Sequence, residues 1–215
     1  TLRETGKARL AVRIGALATL SRNFQISFLR PLLARSDVEI VLRSGSPLDL
    51  LAGLQSLKLD VVLTNQAPAS DALTPFIVHK LSEQPISLIG APSLIGGEHS
   101  VGTLLATHPI ILPTRGNSIR SDCDALAARL GIRLQIAAEV DDIAMMRLLV
   151  REGFALAALP PIAGRDELAA GLLVEAASLP DMADSFFVVT IGRRFPNPIV
   201  QILLEGAGGL LPAAS

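Results

Sequence analysis

The chain has 215 residues, 50% of them hydrophobic and 18% charged, with 19 Lys and Arg against 20 Asp and Glu for a net charge of -1. This composition excludes a disordered polar tail, and the missing basic excess makes the chain a poor binder of a phosphate backbone. Trp and Tyr are absent and Phe numbers 7, which leaves little surface for stacking bases or sugars, while a single cysteine, Cys123, excludes an internal disulfide or a thiolate metal cluster.

Leu10, Val12 and Ile14 alternate with Ala11 and Arg13, predicting a strand over 9–16 that ends in Gly15-Ala16. Phe24, Phe28, Leu29, Leu32 and Leu33 then fall at helical spacing over 21–35, with Pro31 expected to kink or interrupt the helix. A strand over 38–43 leads into Gly45-Ser46-Pro47-Leu48-Asp49. This is a helix start, with Ser46 as N-cap, Pro47 at the first position and Asp49 where the helix dipole favours negative charge, and the helix runs to about Leu57. The nearly continuous apolar run at 60–65 suits a parallel strand covered on both faces. Residues 9–65 therefore read β-α-β-α-β, and the breaker-rich Gln66-Ala67-Pro68-Ala69-Ser70-Asp71 reads as a crossing into a second lobe.

Beyond it the pattern predicts strands at 76–81 and 86–90, a helix at 100–106 and a strand at 110–112 stopped by Pro113. A helix over 118–130 follows, ended by Gly131 in a left-handed turn. Then come a strand at 133–140, a helix at 141–152 with Asp141 at its cap, a strand at 154–159 stopped by Pro160-Pro161, a strand at 185–192 and a closing amphipathic helix at 198–211. No apolar run approaches the ~20 residues of a membrane span. The opening Thr1-Leu2-Arg3-Glu4-Thr5-Gly6-Lys7 is too polar for an export signal and lacks an initiator Met, so it reads as the start of a piece of a longer protein, as a trimmed mature protein also would, and the single cysteine points to a reducing cytoplasm as the compartment.

No residue set points to catalysis. His79, His99 and His108 match no metal-ligand spacing, there is no Gly-x-Ser-x-Gly, and Cys123 sits mid-helix without a neighbouring histidine. Glu139, Asp141 and Asp142 form a carboxylate cluster in sequence, for which helix capping by Asp141 outweighs acid–base work. Gly96-Gly97 and Gly206-Ala207-Gly208-Gly209 lack the strand-to-helix setting of a dinucleotide or phosphate loop. The expectation is no catalytic residue, no metal and no cofactor. What remains are the junctions after strands: Thr19-Leu20-Ser21-Arg22-Asn23, Ser44-Gly45-Ser46 and Thr114-Arg115-Gly116-Asn117-Ser118. Each offers hydroxyls and free N–H groups at a helix start, the chemistry that holds a carboxylate or other small anion. Taken singly, Ser46 and either Asn117 or Ser118 are equally well read as plain caps; their joint occurrence in both lobes favours binding.

Four segments resemble the effector-binding domain of LysR-type transcriptional regulators: Leu10 to Ala16; Leu42-Arg43-Ser44-Gly45-Ser46 leading to Leu57-Lys58-Leu59-Asp60-Val61-Val62-Leu63; Leu148 to Pro160; and Arg193-Arg194-Phe195-Pro196-Asn197-Pro198. Glu139 to Met146 faintly resembles the sodium/proton antiporter regulator branch. The resemblance implies an α/β fold of two Rossmann-like subdomains joined by two crossover segments, the periplasmic-binding-protein type II arrangement, with subdomain I at 1–67 plus 189–215 and subdomain II at 68–188. It also implies a small-molecule effector in the cleft, homodimers or homotetramers formed through this domain, and DNA contact only through an N-terminal winged helix-turn-helix absent from this chain. Carried over by position, effector contacts fall on Thr19, Ser21, Ser46 and Thr114. Chemistry alone adds Arg22 and Arg115 as partners for an anionic effector and Asn117 at the helix start. The alternative on the same architecture is a type II periplasmic solute-binding protein of a transporter.

Overall fold

The computed structural model describes residues 9–69, 76–97 and 100–207. His99, Ser70, Asp71, Gly208 and Gly209, all singled out above, lie outside the described residues, as does the last part of the expected closing helix. By packing, the chain divides into two units. The first comprises the described residues up to Leu17, Gln25–Ser82 and those from Phe186 onward; the second comprises Ala18–Phe24 and Glu83–Ser185. Against boundaries expected near 67 and 189, the changes of unit fall inside two long strands, with a third exchange around residues 18–24.

In the first unit, β1 (Leu10–Leu17) and β2 (Val38–Gly45) pair in parallel for their full length, Leu10 opposite Val38 and Leu17 opposite Gly45. β3 (Val61–Thr64) joins the other side of β1 in parallel, and the end of β8 (Val174–Ile191) runs antiparallel to β3, giving the order β2-β1-β3-β8. All four residues of β3 are buried, as its unbroken apolar sequence requires. α1 (Arg22–Leu33) continues through Pro31 without interruption, because the proline falls in the last turn, where only one helical hydrogen bond is forfeited. α2 (Pro47–Gln55) starts as read, with Asp49 N–H donating to Ser46 Oγ at 3.2 Å. α7 (Pro198–Ala207) buries Ile199, Leu203 and Ala207. It is fastened by Asn197, whose Oδ1 accepts from Ile199 N–H at 3.0 Å while its Nδ2 donates to the Ala11 carbonyl at 2.8 Å.

The second unit is ordered β4-β7-β5-β6, with β4 (Phe76–Gly90) entering from the first. β7 (Leu156–Leu159) is antiparallel to β4 and parallel to β5 (Pro109–Pro113), and β5 is parallel to β6 (Gln135–Val140) with an irregularity between Ile110 and Ile111. Alternation along these strands sorts side chains into two cores. Ile86, Leu88, Ile110, Leu112, Leu156 and Ala158 pack with α3 (Val101–Thr107) and α4 (Ser118–Leu130), while Ile89, Ile111, Ala157 and Leu159 pack with α5 (Ile143–Arg151). α4 ends at Gly131, whose φ of 65° is the left-handed cap expected there.

Several expectations need correction. The strands read at 76–81 and 86–90 are one, because the polar Ser82 to Pro85 stretch stays extended instead of turning. The last strand begins at Val174, eleven residues early, carrying Pro180 and Asp181 within it. The cap of α5 is Asp142, not Asp141, so this helix starts later than read. A 3₁₀ turn (Pro161–Gly164) and α6 (Arg165–Ala169) were not expected at all.

Candidate functional site

Six of the seven candidate residues lie in the second unit, where three helix starts gather around one recess. The first is the segment Ala18–Phe24 that opens α1. Ser21 is fully buried, its Oγ accepting from Phe24 N–H at 3.3 Å, and Asn23 Nδ2 donates to the Ile162 carbonyl at 3.0 Å, locking the segment onto this unit. The second is the loop from β5 to α4. Thr114 N–H donates to the Val140 carbonyl at 3.3 Å, Gly116 takes a φ of +94° that admits glycine readily, and Asn117 Oδ1 accepts from Ile119 N–H at 2.9 Å. The third is α5, where Asp142 Oδ1 accepts from Ala144 and Met145 N–H groups at 2.7 and 3.3 Å. Ile143 N–H reaches back to the Ala18 carbonyl at 3.5 Å, tying the first start to the third.

Thr19, Pro113, Asn117, Ile119, Ile143, Met146, Ala158 and Leu159 line the recess, whose free volume of about 10 Å³ is that of one water molecule. Each helix start contributes the positive end of its dipole, so the rim favours negative charge, although the N–H groups that open α5 are already bonded to Asp142 and Ala18. One carboxylate already sits there. Asp142 Oδ2 lies 3.7 Å from Arg22 Nη2, both side chains about one-third to two-fifths exposed, so Arg22 serves Asp142 instead of standing open to a ligand.

The candidates thus separate by what their side chains already do. Ser21 and Asn117 cap helices, and so does Ser46 in the first unit, where its hydroxyl also donates to Asp49 Oδ2 at 2.6 Å. Arg22 is ion-paired. Thr19, Thr114 and Arg115 have no side-chain partner among the described residues, and Arg115 is exposed. Close to Ser46, the first unit holds a cavity of about 240 Å³ at the carboxyl ends of β1 and β3, lined by Leu17, Pro47, Leu51, Val62, Thr64 and Gln66 to Ala69.

Arg120 escaped the sequence reading. Its side chain is 3% exposed, with Nη1 2.6 Å from Glu139 Oε1 and Nε 3.0 Å from Asp124 Oδ2; Nη1 also donates to the Pro113 carbonyl at 3.4 Å. The hydrogen bond it donates to Glu139 raises the guanidinium's pKa above its ordinary value, against burial, which lowers it. Only the i,i+4 spacing to Asp124 was legible beforehand. Glu139 is therefore Arg120's partner and Asp142 a cap, so the sequence cluster of carboxylates is dispersed. Cys123 is buried and its thiol is pushed up to about 12, chiefly by desolvation, which leaves no thiolate nucleophile at neutral pH.

Comparison with known proteins places these features in a family. The model of the LysR substrate binding domain matches residues 5–207. Among solved structures, the bromide-bound regulatory domain of HypT from Salmonella typhimurium is 14% identical, with 97% of this chain and 98% of that one covered at a TM-score of 0.70. A sulfate-bound mutant regulatory domain of OxyR2 from Vibrio vulnificus is 15% identical, with 98% and 100% covered at 0.71. CbnR, a LysR family transcriptional regulator, is 16% identical, with 92% of this chain and 68% of that chain covered at 0.71. At such identities the structures speak for the fold alone. A search of curated proteins gives no match. With the family model spanning nearly the whole sequence, the chain belongs to the LysR substrate-binding domain family, of the type II periplasmic-binding-protein-like fold, and the transporter alternative is not favoured.

Proposed function

We propose that this domain senses a small anionic effector for a cytoplasmic LysR-type regulator that assembles as a homodimer or homotetramer and meets DNA through a separate N-terminal domain. The observation that carries the anionic character is the gathering of three helix starts around the recess lined by Thr19 and Asn117. Thr19, Thr114 and the N–H groups opening α4 are its contacts in the second unit, and Arg115 supplies an uncommitted positive charge. Ser21, Asn117 and Ser46 take part through what they cap. Arg22 takes part only when the ligand's acid group replaces Asp142 as its partner. Two of the similar structures are described as bromide-bound and sulfate-bound, which supports an anion as the ligand class. On this reading the domain has no catalytic role; binding shifts the balance between two states of the regulator, and a coupling of roughly 1–3 kcal/mol changes affinity about 5- to 150-fold.

The test is a sulfate titration followed by amide NMR shifts, on the wild-type chain and on Thr114→Val and Arg115→Gln. Saturable shifts at Thr19 and Thr114 to Ile119, weakened about tenfold by either substitution, are expected for one lost hydrogen bond to a charged group. Shifts that scatter over the surface and ignore both substitutions would sink the anion reading.

A further inference from the structure

The loop that opens α4 is held from behind by a group with no access to any ligand. Arg120 lies three positions into α4 with its side chain 3% exposed, and its guanidinium serves acceptors on three elements: the Pro113 carbonyl ending β5, Glu139 on β6 and Asp124 on its own helix. Pro113 is the residue before Thr114, and in the β5–β6 register Leu112 faces Glu139 and Pro113 faces Val140. Arg120 therefore grips both strands just where the loop leaves them, and the Thr114 N–H bond to the Val140 carbonyl continues the grip by one residue.

We infer that Arg120 is a positioning residue, whose buried guanidinium fixes the 114–117 loop so that the first N–H groups of α4 face the anion; this rests on the anion reading above. Stability alone does not explain a guanidinium here. It sits between Ile119 and Cys123, both in the apolar core, and a buried ion pair contributes little over a well-packed apolar side chain. What a planar fork supplies is three bonds held in a fixed geometry from two nitrogens, Nε and Nη1, where an ammonium's three donors diverge from a single atom and an aliphatic chain has none. Two half-exposed carboxylates outweigh its single charge, so the cluster adds no net attraction for an anion and Arg120 acts through geometry.

The experiment compares the wild-type chain with Arg120→Lys and Glu139→Gln by two readouts: amide hydrogen exchange of residues 114–119 without ligand, and sulfate affinity from amide shifts. Arg120→Lys is expected to speed exchange in that segment about tenfold and to weaken sulfate by a similar factor, with Glu139→Gln changing both in the same direction and α3 unaffected. Exchange and affinity both at wild-type levels in the two variants would overturn the inference. Wild-type protein that shows no saturable sulfate shift overturns the anion reading instead, and the exchange comparison still decides whether Arg120 holds the loop. Should Arg120→Lys fail to fold, Glu139→Gln, whose side chain is 41% exposed, carries the comparison.

Discussion

Arg193 Nη1 donates to Asp60 Oδ1 at 2.7 Å across 133 residues of sequence. Asp60 is buried, its other oxygen accepts from Arg13 N–H at 2.8 Å, and Arg193 also donates to the Leu59 carbonyl. One ion pair thus joins β1, the start of β3 and the segment leading from β8 into α7. Arg193→Ala leaves the carboxylate buried and partly unpaired, at a cost of about 3 kcal/mol, less for Arg193→Lys. Urea unfolding of the two variants measures it; equal stabilities for Arg193→Ala and wild type would show that solvent satisfies Asp60.

A second joint in the same unit is steric. A Cβ on Gly206 of α7 would sit 2.4 Å from Pro31 Cγ, and the proline ring has no rotamer with which to retreat. Gly206→Ala is expected to destabilise by about 1–3 kcal/mol despite the better helix propensity of alanine, through overpacking. A raised melting temperature would mean that α7 shifts freely.

Much of this was readable in advance, and the failures share a cause. The parallel β1, β2 and β3, the Ser46 cap and the Gly131 stop follow from local chemistry: alternation or an unbroken apolar run, a hydroxyl three residues before an acid in the first turn, and a glycine just past the last turn. The continuous β4 and long β8 were missed because Ser82 to Pro85 and Pro180-Asp181 carry turn-forming residues through which the strands nevertheless run on, Asp181 with a φ of +60°. In the same way Thr19, Asn117 and Ile143 are each ordinary at their own positions, and only packing brings the three helix starts together. Arg120 was invisible because its burial depends on Glu139, nineteen residues on.

Adjacent aspartates offer a sharp test of that packing. Asp142, not Asp141, receives the α5 amides and faces Arg22. Asp142→Ala is expected to cost about 1 kcal/mol as a lost cap, while the exposed Asp141→Ala changes stability by no more than about 0.5 kcal/mol. Asp142→Asn separates the two roles, since it keeps a capping oxygen and removes the negative charge that faces Arg22. In the sulfate titration this variant should bind more tightly than wild type, and unchanged binding would mean that Arg22 never reaches the ligand.

Cys123 provides a reading of global stability that needs no ligand. Burial pushes the pKa of its thiol up to about 12, with the Asp122 and Asp124 charges adding and Arg120 opposing. The folded state therefore keeps the proton through a range in which the unfolded chain has already released it. Fewer protons bound by the unfolded state means that stability falls as pH rises, beginning near pH 9 and continuing until the folded thiol ionises, with a limiting slope of about 1.4 kcal/mol per pH unit from this group. Cys123→Ala removes that slope, at the expense of a small cavity beside Leu126 and Ile119. At pH 8 the native thiol should resist a disulfide reagent and react only as fast as the chain opens, so the labelling rate in low urea reports opening around α4. Immediate stoichiometric labelling of native protein would show that α4 leaves its core far more readily than its packing implies.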